Sequence, residues 1–217
     1  MKRYDCIIFD MDGTLTQTNQ LIYDSFNHVA GKYIDRILTK NEIHALFGPP
    51  EEICVRNMIG NEHAEKAMVD YYSFYQSEHK RLAVLYPGII QILEFLRSKK
   101  LRLALFTGKG RRTTDITLEQ FAISSYFDVT VTGDDVEIHK PSGNGIAKIL
   151  KQFSLAPKNV LMVGDAVADI QASRETGVEI ASVVWDSYGK DEVMKLTPDH
   201  LFDDVHVFFE WLKKVYA

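Results

Sequence analysis

A chain of 217 residues, 46% hydrophobic and 25% charged, has globular composition and enough length to bury a core in one domain or two small ones. Its formal charge of -5, with no long basic block, excludes the electrostatic footprint of a nucleic-acid binder, so a small anionic ligand requires a locally positive pocket. Cys6 and Cys54 show no CxxC spacing, and the opening MKRYDCIIFD is too short an apolar run for a signal core or a membrane span, so the expectation is a cytoplasmic protein with no membrane partner.

In chain order, residues 4–9 form a short apolar, β-branched run that reads as a buried strand, broken abruptly by Asp10-Met11-Asp12-Gly13-Thr14. From about Thr16 to Leu85 the patterns are helical and no strand is expected. Leu21, Ile22, Phe26 and Val29 recur at helical spacing, and Thr39-Lys40-Asn41-Glu42 reads as a capping box opening a second helix. Gly48-Pro49-Pro50 stops that helix, residues 51–59 suggest a third, and residues 62–81 a fourth that carries Tyr71, Tyr72 and Tyr75. Four helices inserted after the first strand predict a helical cap domain over residues 16–85, with Tyr86-Pro87-Gly88 as the hinge back.

Residues 101–106, 127–132, 159–164 and 179–185 then read as strands, and 88–100, 111–121, 143–153, 167–177 and 203–216 as helices. Strict alternation predicts an α/β fold: a Rossmann-like parallel sheet, covered on both faces, formed by residues 1–15 and 86–217. Ligands of such sheets bind at the carboxyl edge of the strands.

Four short motifs fall at or just beyond strand ends on that edge. Asp10 and Asp12 leave the first strand one residue apart. A carboxylate attacks phosphorus once a cation screens its repulsion from phosphate, which suits Asp10, while Asp12 suits general acid and base. Thr107, Gly108, Lys109 and Gly110 follow the second strand, where a hydroxyl and free amides can hold phosphate oxygens. Lys140, ahead of Pro141, offers an ammonium to neutralise phosphate and carboxylates. Asp165 and Asp169 follow the strand that ends at Gly164; hard magnesium takes two or three protein oxygens and keeps several waters, so Asp165 suits a direct ligand and Asp169 the same cluster or a supporting role. Each motif alone has an ordinary alternative: a polar turn, a Thr-Gly strand exit, a solvated lysine, a helix-capping aspartate. Their occurrence together, in this order, favours the site.

On DMDGT, LALFTGKG, HKPSG and VGDAVADI the chain resembles the haloacid dehalogenase superfamily, specifically its phosphatases with a helical cap inserted after the first motif, and the stretch from Tyr86 to Lys109 is most similar to the phosphoglycolate phosphatase-like group. The resemblance implies a magnesium-dependent phosphatase acting on a small phosphorylated metabolite. It implies Asp10 as nucleophile and magnesium ligand, Asp12 as acid/base and a magnesium ligand through its backbone carbonyl, Thr107 and Lys140 on the phosphate, and Asp165 on the metal with Asp169 in support. Ala166, where many relatives carry Ser or Thr, implies a lost hydrogen bond beside the metal. In the cap, Pro49 of the loop 48–51 and Arg56 on the next helix are expected to read the substrate. The rival readings are a phosphosugar mutase (β-phosphoglucomutase-like) or pyrophosphatase of the same superfamily, and, from another class, a non-catalytic phosphoacceptor or ligand-sensing domain. The chain is expected to act as a monomer or homodimer.

Overall fold

The computed structural model describes residues 3–187 and 189–217; Tyr188 and the first two residues of the expected core segment lie outside them. The chain folds around a six-stranded sheet made of β1 (Cys6–Phe9), β4 (Arg102–Phe106), β5 (Val129–Val131), β6 (Val160–Gly164), β7 (Glu179–Val183) and β8 (His200–Phe202). Every pairing in it is parallel and the order is β5-β4-β1-β6-β7-β8. Parallel strands need covered crossovers, supplied here by α5 (Ile89–Ser98), α6 (Arg111–Gln120), α7 (Asn144–Phe153), α8 (Val167–Thr176) and the short α9 (Lys190–Lys195), while α10 (Val205–Val215) follows the last strand and packs on the sheet.

Alternation along the strands sorts the core into two layers. Ile7, Phe9, Leu103, Leu105, Leu161 and Val163 face one side and pack on Ile92 and Leu96 of α5 and Phe208 and Leu212 of α10. Cys6, Ile8, Ala104, Phe106, Val160 and Met162 face the other side, against Ile146 and Ile149 of α7 and Ile170 of α8. A fully buried aliphatic or aromatic side chain of this kind contributes about 1.5–3 kcal/mol, so both faces of every central strand are committed to packing. Chemistry is left to the strand ends.

The strand order reverses at β1, with β4 and β5 on one side and β6 to β8 on the other. The crevice at such a reversal opens at the carboxyl ends of β1, β4 and β6, the strands that Asp10, Thr107 and Asp165 directly follow.

Between β1 and α5 the chain forms α1 (Asn19–Ile34), α2 (Lys40–His44), α3 (Glu51–Ile59) and α4 (Asn61–Leu82). Thr39 caps α2 with the expected box, its side chain accepting from Glu42 N–H while the Glu42 carboxylate accepts from Thr39 N–H. These helices share their own apolar cluster, including Leu21, Phe26, Val55, Met68, Tyr71 and Tyr75. The expectation of no strand in this region is corrected at its two ends: β2 (Thr16–Gln17) pairs antiparallel with β3 (Val84–Leu85). Two residues are too few for alternation to register. Among the described residues no helix is long and apolar enough to cross a membrane, and Cys6 and Cys54 are both free and buried.

Candidate active site

Asp10 is the first residue beyond β1, and its N–H donates to the Val163 carbonyl at 2.8 Å, so the sheet's hydrogen bonding continues through the backbone of the acid. Its Oδ1 accepts from Lys140 Nζ at 2.8 Å. The same ammonium donates to Asp169 Oδ1 at 2.7 Å and to the Phe106 carbonyl at 2.8 Å, and lies 4.5 Å from the centre of the Phe106 ring. All three hydrogens of Lys140 are thus assigned. The alternative of a solvated lysine is excluded, because Lys140 is buried.

Asp165 follows Gly164 at the end of β6. It does not cap α8: the residue before that helix is Ala166, which has no side-chain acceptor, and Asp169 Oδ2 instead reaches back to accept from Ala166 N–H at 3.0 Å. The Asp165 carboxylate accepts from Thr14 Oγ1 at 3.3 Å. Gly13 makes that approach possible, since its φ is +80° and a Cβ there would lie 2.3 Å from Asp165 Oδ2. The glycine of the first motif therefore serves both the turn and the space needed by the acid of the fourth.

Asp10, Asp165 and Asp169 can bring one oxygen each to within 4.8 Å of one another, all three buried. Against them stands one ammonium, that of Lys140. Burial, then the neighbouring acids, pushes Asp165 well above the ordinary carboxylate range; burial also raises Asp10 to about 7 despite the opposing pull of Lys140. Such a group is short of positive charge. Its donors are all hard oxygens, so it fits magnesium and not a soft metal. Both oxygens of Asp169 are occupied, one by Lys140 and one by Ala166 N–H, which leaves Asp10 and Asp165 as the better placed pair to reach an ion.

The Asp12 carboxylate stands outside that group. Thr18 Oγ1 donates to its Oδ1, and Lys109 Nζ lies 3.2 Å from its Oδ2. Lys109 is buried and sits 4.8 Å from the centre of the Tyr75 ring. Burial works against its charge, but Asp12, Tyr75 and Glu51 outweigh it and hold Lys109 well above the usual lysine value. Thr107 is buried too, its Oγ1 accepting from Lys109 N–H at 3.3 Å.

The loop 48–51 of the inserted helices closes on this edge. Pro50 packs so near Gly133 that a Cβ there would lie 2.6 Å from Pro50 Cγ. Between the two parts of the chain lies a cavity of about 560 Å³, to which Asp10, Asp12, Thr107, Gly108, Lys109, Lys140, Asp165 and Asp169 all contribute, as does Pro49. Arg56 does not: it is exposed and borders a separate depression with Glu52, Tyr72 and Arg112. Helical phase gives the reason, since α3 turns Glu51, Cys54 and Val55 inward. The inward charged residue is Glu51, whose reach across to the sheet region sequence reasoning did not assign; its position directly after Pro50, opening the helix, was the available signal.

A model of the haloacid dehalogenase-like hydrolases matches residues 7–183. The chain is 32% identical over 197 residues to pyrophosphatase PpaX of Anoxybacillus flavithermus, covering 91% of each. In structure it resembles a predicted phosphoglycolate phosphatase from Haemophilus somnus 129pt, with a TM-score of 0.86 at 22% identity over 98% of this chain and 99% of that one. It also resembles CbbY from Rhodobacter sphaeroides in complex with phosphate, with a TM-score of 0.80 at 18% identity, covering 93% and 95%. These structural likenesses bear on the fold.

Proposed function

Because the chain belongs to the haloacid dehalogenase-like hydrolase family, we propose that it is a magnesium-dependent phosphatase of small organic phosphomonoesters that works through an aspartyl-phosphate on Asp10. One observation carries this reading: a buried nucleophile held by Lys140 and grouped with Asp165, with a second carboxylate, that of Asp12, set apart in the same cavity. Residues 16–85 act as the cap over the site, and Pro49 faces the substrate.

Asp10 and Asp165, with Asp169 in support, would hold magnesium, which would supply the charge that lets a carboxylate approach a phosphate. A carboxylate oxygen of Asp10 forms a bond to phosphorus as the bond between phosphorus and the leaving oxygen breaks. Asp12 gives its proton to that oxygen, and the alcohol departs. Water then gives a proton back to Asp12 and its oxygen to phosphorus, which breaks the acyl-phosphate and releases inorganic phosphate with Asp10 restored. Lys140, Thr107 and the amides of Gly108 and Lys109 hold charge on the phosphoryl oxygens.

A second reading, hydrolysis of pyrophosphate, is favoured by the activity named for the relative at 32% identity. Release of inorganic phosphate from a panel of phosphate esters and pyrophosphate, with magnesium and with chelator, tests the assignment. The expected result is magnesium-dependent release that Asp10→Asn abolishes. Phosphate release that survives in Asp10→Asn, or that ignores chelation, overturns it.

A further inference from the structure

The cavity is much larger than a phosphate group needs, and its walls differ in kind. At about 560 Å³ it lies in the range of sites that enclose drug-sized ligands. Most of its polar groups gather on the sheet side, with Asn19 and Glu51 added from the inserted helices. The rest of the cap side is apolar: Ile22 and Phe26, four residues apart on one face of α1, with Leu46, Phe47, Pro49 and Cys54. A leaving group displaced from phosphorus has to occupy that side.

Charge points the same way. Among the described residues the lining contains two cations and six acids, and it contains no arginine or histidine. Lys140 is committed to Asp10 and Asp169, and Lys109 lies 3.2 Å from Asp12 and 3.4 Å from Glu51. A substrate with a second anionic group, a carboxylate or another phosphate, would bring that group among apolar side chains and carboxylates with no uncommitted side-chain cation to receive it.

From this we infer that the substrates are monoesters of uncharged alcohols with an apolar or aromatic body, and that Phe47 and Ile22 select them. The inference rests on the phosphatase reading but departs from both pyrophosphate and phosphoglycolate. Desolvating an apolar body against the cap favours such esters, whereas a doubly anionic compound loses hydration without gaining a partner.

The experiment compares kcat/KM for benzyl phosphate and hexyl phosphate with that for phosphoglycolate and pyrophosphate, in magnesium. The expected advantage of the apolar esters is about ten-fold or more, the discrimination an apolar pocket can supply. Phe47→Ser is expected to reduce it, and Phe47→Arg to shift preference toward phosphoglycolate and pyrophosphate. Titrating benzyl phosphate into Asp10→Asn gives a readout independent of turnover, with weaker binding expected when Phe47→Ser is added. Equal or better use of phosphoglycolate or pyrophosphate by the unaltered protein overturns the inference and leaves the phosphatase reading standing. Phosphate release from none of the four compounds overturns both. Apolar preference that persists unchanged in both Phe47 variants removes the selecting role from that wall.

Discussion

Glu51 opens α3 of the inserted helices, yet its Oε2 accepts a hydrogen bond at 2.7 Å from the backbone N–H of Gly110, the residue that precedes α6 on the sheet side. Its Oε1 accepts from Thr113 Oγ1 at 2.8 Å and lies 3.4 Å from Lys109 Nζ. α6 has no capping side chain of its own, so a carboxylate from the cap supplies one. The packing of the inserted helices on the sheet region and the setting of Lys109 beside Asp12 are thereby linked through one residue.

Glu51→Ala should destabilise the chain by about 3 kcal/mol, because it removes one of the two carboxylates beside the buried Lys109 ammonium and leaves an amide at a helix start without its acceptor. Glu51→Gln retains an acceptor and should cost less. Urea unfolding of the three proteins measures this, and identical midpoints would show that Glu51 does not hold the inserted helices to the sheet region.

Gly13→Ala is expected to weaken magnesium binding by about 10- to 100-fold, the usual cost of disturbing a group that supports a ligand. The added methyl group both opposes the positive φ and displaces the Asp165 carboxylate. Calorimetric titration with magnesium reads the effect directly; unchanged affinity would show that Asp165 does not set it.

For Asp12→Asn, kcat should fall by about 10²- to 10⁴-fold with little change in KM, since proton transfer is lost while the phosphate contacts stay. A variant that loses only KM would assign Asp12 to binding.

Acid sensitivity should trace in part to His79. Burial first, then Lys109, pushes its imidazole down to about 4, and its Nε2 meets Thr117 Oγ1 at 3.2 Å. The unfolded chain takes up that proton near pH 6.5, so the native state is fully favoured above about 6.5 and loses this contribution as pH falls toward about 4. Comparing urea midpoints of the unaltered chain and His79→Gln across that interval checks it: the variant's profile should be flatter, and parallel profiles would refute the assignment.

How much of this was legible in the sequence depends on where the information sits. β1, β4 and β6 are apolar over their whole length because both faces are buried, so runs such as Cys6–Phe9 stand out, and the acids that end them stand out by contrast. β8 and α9 were not anticipated. The first is three residues on a sheet edge, paired only with β7, and the second buries a single side chain, Val193. Neither holds enough periodic residues to register. That Arg56 lies outside the cavity was not legible, because composition shows a cation near a loop but not which way the helix turns it. The union of Glu51 with Gly110 joins residues far apart in the chain, and nothing local to either announces it.

The ribbon of β2 and β3 has a consequence for how such a protein diversifies. Thr16 lies opposite Leu85 and Gln17 opposite Val84, so the chain leaves the sheet region and returns to it at points about one strand spacing apart, roughly 5 Å. Whatever is spliced between them has no gap to bridge and no register to preserve. The sheet half of the molecule can be kept intact while the helical insertion is exchanged, lengthened or pared back, as a tool keeps its handle through many blades.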